Sequence, residues 1–320
     1  MLIAQGNGGL YFATSDKPNG GFVYDSVQTN LPGIVNGATG DQTIFQDDDG
    51  QAYLVSSSSN GRANRYVSPL RAADFLAAES AVLVYKGGGR EGNCMFKYNG
   101  TYTFCSSDLH GWNSSQTYCV SASNIKGPYG AEFVLDGTEK DFSHVTQTGF
   151  FIAVKGTQQT TIIFAGDRWA DFAGNGLGYN QWLPLSFTGT TPHFNSLSAW
   201  TLDVNSGTWA AAAQNNWLLN PSFEADRVAV TTPAGWTSSG GTNSSDGRTG
   251  NWSWQVTGSA SGGVLYAKLG STMKSVVIPS STSWTNVTLS GIAVNADQLE
   301  VGITSTGSTI KADDFTLIAE

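Results

Sequence analysis

The sequence is poor in charge, in cysteine and in long apolar runs. Only 13% of its 320 residues are charged, and acids outnumber bases to leave a net charge of −9. So few bases provide no electrostatic footprint for nucleic acid or for an anionic membrane surface. No apolar stretch reaches the roughly 18 residues of a membrane-spanning helix. The opening MLIAQGNGGLYFATSDKP has neither the basic region nor the long apolar region of a signal peptide, and it reads as the interior of a domain. His110, His144 and His193 have no metal-ligand spacing, so zinc is not expected. Helical periodicity is nearly absent, and the one helix-like stretch is Pro69 to Glu79.

Against these lacks, 40% of the chain is hydrophobic, and its 39 glycines stand among many Ser, Thr, Trp and Tyr. Brief apolar runs cut by Gly, Asn, Asp and Ser indicate short strands joined by tight turns, an all-β protein. The segment NCMFKYNGTYTFC forms a hairpin with Asn99-Gly100 as its two-residue turn. Counting outward pairs Tyr98 with Thr101 and Cys94 with Cys105, with Cα atoms about 5.5 Å apart as a hydrogen-bonded pair. A disulfide between them and two packed thiols are both open, and Cys119 reads as a buried strand residue.

A repeat organises the first two thirds. Its units start near Asp41, Gly92 and Thr146, 51 and 54 residues apart. Each runs strand, turn, strand: DQTIF, Asp-Asp-Gly, QAYLVSS; NCMF, Asn-Gly, TYTFCSS; QTGFF, a turn near Gly156, TTIIFAGD. Later strands repeat as well, since the run from Tyr11 resembles the run from Tyr118. Small meanders at this period read as β-propeller blades, with the strand after each repeat start innermost. The repeat ends near Asn215, giving a propeller over 1–214 and a second domain over 215–320. The second domain alternates short β runs with Ser/Gly/Thr turns in the manner of a jelly-roll β-sandwich, with Val276–Ile278 and Val287–Leu289 as core strands.

Glycoside hydrolysis needs a carboxylic acid to protonate the leaving oxygen and a second group to activate water or attack. The repeat brings one polar residue per unit to the axis: Asp41, Glu91 and Gln147. Glu91 is the candidate acid, with the charge of Asp41 raising its pKa. The alternative is a loop carboxylate paired with Arg90. The run Gln46-Asp-Asp-Asp-Gly lacks EF-hand spacing and reads as a hairpin turn. Trp112, Asp167, Arg168, Trp169 and Tyr179 follow the repeat units and are candidates for sugar binding. For Trp112 and Trp169, packing between blades is the alternative.

The segment REGNCMFKYNGTYTFCSSDLHGWNSSQTYCVSASNIKGPYG, with DQTIFQDDDGQAYLVSS and TQTGFF…IIFAGDRW…GYNQWLPLSF, resembles family 43 glycoside hydrolases. Gly-Trp after the acid blade, Gly-Asp-Arg-Trp and Trp-Leu-Pro-Leu are most like the exo-β-1,3-galactanase branch. The resemblance implies a five-bladed β-propeller, with Glu91 as general acid and Asp41 as the carboxylate that tunes it. Gln147 matches a glutamine in place of the base carboxylate, acting on water through an imidic tautomer, with inversion of configuration. No cofactor is implied for catalysis. Against the family pattern, the first blade and its axial carboxylate are expected to be missing, because only Asp16 and Asp25 precede Asp41. The C-terminal domain resembles carbohydrate-binding jelly rolls, opening at Asn220-Pro-Ser-Phe-Glu and closing at Asp313-Asp-Phe. That resemblance implies a structural calcium on Glu224 and Asp314, a domain short of a strand or two between Gln255 and Val264, and Trp236, Trp252 and Trp254 either stacking on sugar or filling the core.

The leading expectation is therefore a secreted, exo-acting hydrolase of β-1,3-galactan, the arabinogalactan backbone. The competing ones are a sugar-binding protein without catalysis, and an arabinofuranosidase or xylosidase. Sequons at Asn99, Asn113, Asn243, Asn251 and Asn286 permit glycosylation.

Overall fold

A computed structural model describes residues 2–6, 9–169, 178–227, 230–239, 242–245, 252–256, 263–294, 298–305 and 309–319. The chain divides into two compact units, Met1–Leu219 with Leu317–Glu320, and Asn220–Thr316.

The first unit is built of antiparallel meanders. β1 (Leu2–Gly6), β2 (Gly9–Thr14) and β3 (Val23–Gln28) make a three-stranded sheet. A four-stranded sheet follows, of β4 (Thr39–Gln46), β5 (Ala52–Ser58), β6 (Asn64–Pro69) and β7 (Val82–Lys86). The next comprises β8 (Glu91–Tyr98), β9 (Thr101–Ser107), β10 (Tyr118–Ala122) and β11 (Phe133–Val134). The last comprises β12 (Gln147–Lys155), β13 (Thr160–Arg168), β14 (Tyr179–Thr188) and β15 (Thr191–Phe194), and a hairpin of β16 (Trp200–Leu202) and β17 (Trp209–Ala211) follows it. The innermost strand of each four-stranded sheet is its first, and β8 lies between β4 and β12. This is the propeller arrangement. The likeness of the runs from Tyr11 and Tyr118 sets β2 in the place of β10, so β1–β3 correspond to the outer three strands of a blade.

The sheets stack face to face, so strands between two neighbours are buried on both sides. Alternation along a strand then feeds two different cores. On β5, Leu54 joins Leu10, Phe12 and Tyr66 in one core, while Val55 joins Val67, Phe104 and Val120 in the next. On β8, Met95 faces that second core, while Cys94 and Phe96 face a third with Ile162, Phe164 and Leu183. Continuous apolar runs such as Ala-Tyr-Leu-Val follow from this two-sided burial.

The β8–β9 hairpin turns at Asn99 and Gly100, with φ of 45° and 78°. Its register pairs Tyr98 with Thr101 and Cys94 with Cys105. The disulfide, however, joins Cys105 to Cys119, and Cys94 is a buried free thiol. Cys105 lies between both cysteines, opposite Cys94 on β8 and opposite Cys119 on β10. In an antiparallel sheet a central residue forms a wide hydrogen-bonded pair with one neighbour and a narrow pair with the other. The 4.1 Å between the Cα atoms of Cys105 and Cys119 marks the narrow pair.

The stretch Pro69 to Glu79 is not helical. One turn closes with the Phe75 N–H donating to the Arg71 carbonyl, and Phe75, at φ 63°, then ends it.

In the second unit, β18 (Thr242–Ser245), β19 (Trp252–Val256) and β23 (Ile310–Ala312) form one three-stranded sheet. β20 (Gly263–Leu269), β21 (Thr272–Ile278) and β22 (Leu299–Ser305) form a second, the two layers of a sandwich. Val276–Ile278 lies on edge strand β21 and is half-buried or exposed, and Val287–Leu289 is in irregular chain, so neither is a core strand. An edge strand pairs on one side only, which leaves its outer residues near solvent. Residues 257–262, where the shortening is expected, and Asn251 lie outside the described residues.

Candidate active site

Each inner strand breaks register near its start: between Thr39 and Gln42 on β4, Glu91 and Cys94 on β8, and Thr148 and Phe150 on β12. A bulge bends its strand and re-aims the side chains beside it. Each of the three holds a glycine: Gly40, Gly92 or Gly149. Gly92 is required twice over. Its φ is +60°, and a Cβ there would stand 2.3 Å from the Thr148 carbonyl oxygen. β8 and β12 can approach this closely only without a side chain at that position.

The three bulges bring the expected residues together, though not at equivalent positions. Glu91 and Gln147 are the first residues of β8 and β12, whereas Asp41 is the third residue of β4, within its bulge. Asp41 is caught by the bulge of β8. The Gly92 N–H donates to its Oδ2 at 3.0 Å, and the Asn93 side-chain amide donates to its carbonyl at 2.9 Å. Asn93 is fully buried, donates to Ser57 Oγ and accepts from Ser106 Oγ.

Glu91 is 15% exposed at its side chain, and each carboxylate oxygen has a donor. Gln147 Nε2 donates to Oε1 at 2.7 Å, and Arg62 Nη1 donates to Oε2 at 2.7 Å. The same Arg62 nitrogen is 3.1 Å from Asp41 Oδ2. Burial is the main cause that pushes the Glu91 pKa up. Gln147 and Arg62 oppose it, and the charges of Asp41 and Asp108 add to it. The expected repulsion from Asp41 is thus present but secondary, because Arg62 stands between the two carboxylates. Arg90 is not the partner of Glu91. It binds Glu132, which also takes Arg65, and lies over the Tyr118 ring at 3.9 Å.

Gln147 is buried and its amide is committed at both ends, since its Oε1 accepts from Trp169 Nε1 at 2.9 Å. The residues before it are unusual. Phe142, Ser143, His144 and Val145 all have φ between 50° and 58°, one turn of left-handed helix without a glycine. That conformation costs roughly 1–2 kcal/mol per residue. Bonds from distant strands and loops hold it. Ser143 Oγ donates to the Ser115 carbonyl, Ser115 N–H donates to the Thr146 carbonyl, and the buried Asp141 carboxylate accepts from the His144 N–H and from Ser196 Oγ. His144 Nδ1 is 2.7 Å from Ser196 Oγ.

Around this centre, the Trp112 and Trp169 rings meet edge to face at 4.7 Å. Trp112 thus makes a contact between neighbouring blades and is still 72% exposed. Asp167 pairs in register with Gln147, and its carboxyl is pushed up by burial while Asn180 donates to it. Arg168 lies over the ring of Tyr179 at 5.9 Å. Arg62, Asn93 and Asp108 were not foreseen. Arg62 lies in the turn after Asn60-Gly61, where an arginine reads as a solvated loop residue. Asn93 was accessible to sequence reasoning, because Gly92-Asn93 repeats Gly40-Asp41.

In the second unit, Phe223, Trp236 and Phe315 pack together, so Trp236 fills a core. The side chains of Trp252 and Trp254 lie outside the described residues. The Phe315 N–H donates to the Pro221 carbonyl, joining opening and closing segments. Glu224 is buried and Asp314 exposed. Among the described residues no three His, Cys, Asp or Glu side chains gather to hold a metal ion.

No curated protein sequence matches the chain. Solved structures do. An exo-β-1,3-galactanase from Clostridium thermocellum superposes with a TM-score of 0.57 at 21% identity, over 80% of this chain and 58% of that one. A variant exo-β-1,3-galactanase from Phanerochaete chrysosporium, solved with β-1,3-galactotriose, gives a TM-score of 0.57 at 21% identity, over 86% of this chain and 65% of that one. The chain thus spans less than two thirds of either protein, and at such identity the likeness is one of fold. The sequence model of glycosyl hydrolases family 43 matches residues 3–167, a stretch that holds Asp41, Glu91 and Gln147. The chain, more than half of it covered by that match, belongs to glycosyl hydrolases family 43.

Proposed function

We propose that the protein is an exo-acting, inverting hydrolase that releases galactose from β-1,3-galactan, with Glu91 as general acid. One observation carries this reading: a carboxyl at the head of the central inner strand, largely buried, whose proton affinity burial raises. A general acid must hold its proton near the working pH, and burial is a physical means to that end. Asp41 and Arg62 orient it. Gln147 acts on water, and Trp112 offers an exposed ring face for a sugar. Fold likeness to exo-β-1,3-galactanases supports the choice of substrate.

Inversion requires the sugar and a water to fit between the two reacting groups, about 6.5–9.5 Å apart in carboxylate pairs. Glu91 and Gln147 are in contact at 2.7 Å. On this reading, substrate separates them. The contact equally motivates the second reading, a sugar-binding protein without turnover. Glu91→Gln separates the two. It should abolish release of galactose from β-1,3-galactan while the circular dichroism spectrum is unchanged. Wild-type rates in that variant would remove Glu91 from the mechanism, and binding without any product from the native chain would establish the second reading.

A calcium ion on Glu224 and Asp314 belongs to the same proposal. It would tie the ends of the second unit together, with carbonyl oxygens completing the six to eight ligands calcium takes. Calcium added after chelation should raise the melting temperature in the native chain and not in Glu224→Ala. Equal melting curves with and without calcium contradict it.

A further inference from the structure

Orienting Glu91 does not by itself account for the positive charge of Arg62. A cation beside an acid favours loss of its proton, which opposes proton donation. Both donors on Glu91, Arg62 Nη1 and Gln147 Nε2, address it as a carboxylate. The Gln147 amide is fixed in that sense, because its oxygen already accepts from Trp169. A protonated Glu91 keeps acceptor sites for both donors, but it loses the charge on which the Arg62 bond depends. In the chain without substrate Arg62 is the donor with somewhere to go, since its bonding nitrogen is already 3.1 Å from Asp41.

The backbone of Arg62 is held while its side chain is half-buried. Its φ is 48°, and its carbonyl accepts the N–H of Arg90, next to Glu91. The turn is thereby tied to the strand that bears the acid. The charged and polar groups facing Glu91 are Asp41 from β4, Arg62 from the β5–β6 turn, Asp108 beyond β9 and Gln147 from β12.

We propose that Arg62 is a positioning residue whose single Nη1, shared between Asp41 and Glu91, governs whether Glu91 holds a proton. With Arg62 on both carboxylates, Glu91 is held ionised and oriented. With Arg62 on Asp41 alone, Glu91 takes up the proton it donates. This inference rests on the reading of Glu91 as the acid only for its catalytic consequence. The coupling itself is independent of turnover.

The test is a titration of the full chain labelled with carboxyl-¹³C glutamate, the Glu91 signal being assigned by its loss in Glu91→Gln. Arg62→Met removes the cation and keeps most of the stem, and Arg62→Lys keeps a cation. The sign is fixed: without the cation the ionised form loses a partner, so the Glu91 midpoint rises. It should rise by about one pH unit in Arg62→Met, with most of the rise reversed in Arg62→Lys. The alkaline limb of kcat/KM on β-1,3-galactan should move up with it. A midpoint unchanged in Arg62→Met, or raised equally in Arg62→Lys, overturns the proposal. A midpoint that moves in a chain with no turnover upholds the coupling and contradicts only the enzymatic reading. Lost activity in Glu91→Gln with an alkaline limb indifferent to Arg62 does the reverse.

Discussion

At Glu91, burial and the charges of Asp41 and Asp108 favour the protonated carboxyl, while Arg62 and Gln147 favour the ionised one. Two of these five influences were open to sequence reasoning as electrostatics, Asp41 and Gln147, because the repeat places them. Burial arises from neighbouring sheets, and Arg62 arrives from a turn outside the repeat pattern. Asp167 is a simpler case, with burial raising its carboxyl and Asn180 alone opposing. A carboxyl raised in the folded state contributes its full stability below the unfolded pKa and loses it as pH rises through the folded pKa. Asp167→Asn keeps an acceptor for Asn180 and removes that loss. It should melt higher than the native chain at neutral pH, with the difference vanishing in acid. A lower melting point at pH 7 would contradict this. Trp169→Phe deletes the donor that fixes Gln147, so kcat/KM should fall roughly fivefold for about 1 kcal/mol. A change in KM alone would show that Trp169 serves binding only.

The strand is the next scale, and there the glycines decide. Gly92→Ala places a Cβ on the Thr148 carbonyl at a φ of +60°. It should cost about 2–4 kcal/mol in denaturant unfolding and remove activity, since β8 and β12 can no longer close. An unfolding midpoint equal to that of the native chain would show the bulge to be unimportant. The hairpin at Asn99-Gly100 was legible because its turn demands those residues. The disulfide was not, since a single hairpin reveals one partner of Cys105 and the narrow pair is formed with the next strand. Peptide mapping without reductant should recover Cys105 joined to Cys119, with Cys94 alkylated only after unfolding. A Cys94–Cys105 link would contradict this. The left-handed turn before Gln147 was invisible to local reasoning. From Phe142 to Val145 only His144 is of a type enriched in that conformation, and the turn's support comes from Ser115 and Ser196. The helix-like Pro69 to Glu79 failed because its ends pair with each other, Arg71 N–H with the Ala77 carbonyl and Glu79 N–H with the Pro69 carbonyl, which closes it as a loop.

For the whole molecule, the repeat made the propeller sheets legible, because each blade carries the same strand–turn–strand pattern and second strands such as β5 and β9 are buried on both faces. The outer strands β7, β11 and β15 were less so, being only two to five residues long and largely exposed or half-buried. The second unit was legible as a β-sandwich but not strand by strand, since its Ser/Gly/Thr turns and edge strands resemble one another in composition. The match to glycosyl hydrolases family 43 covers the blades that bear Asp41 and Glu91 and reaches Asp167, while β-1,3-galactan as the substrate is a proposal. Proton NMR of native chain incubated with β-1,3-galactan addresses the central claim most directly, because it reads the product and its stereochemistry together. Galactose should appear as the sole early product, first as the α anomer, the mark of inversion at a β linkage. Early β-galactose, longer oligosaccharides, or no product from a chain that binds the polymer would contradict it.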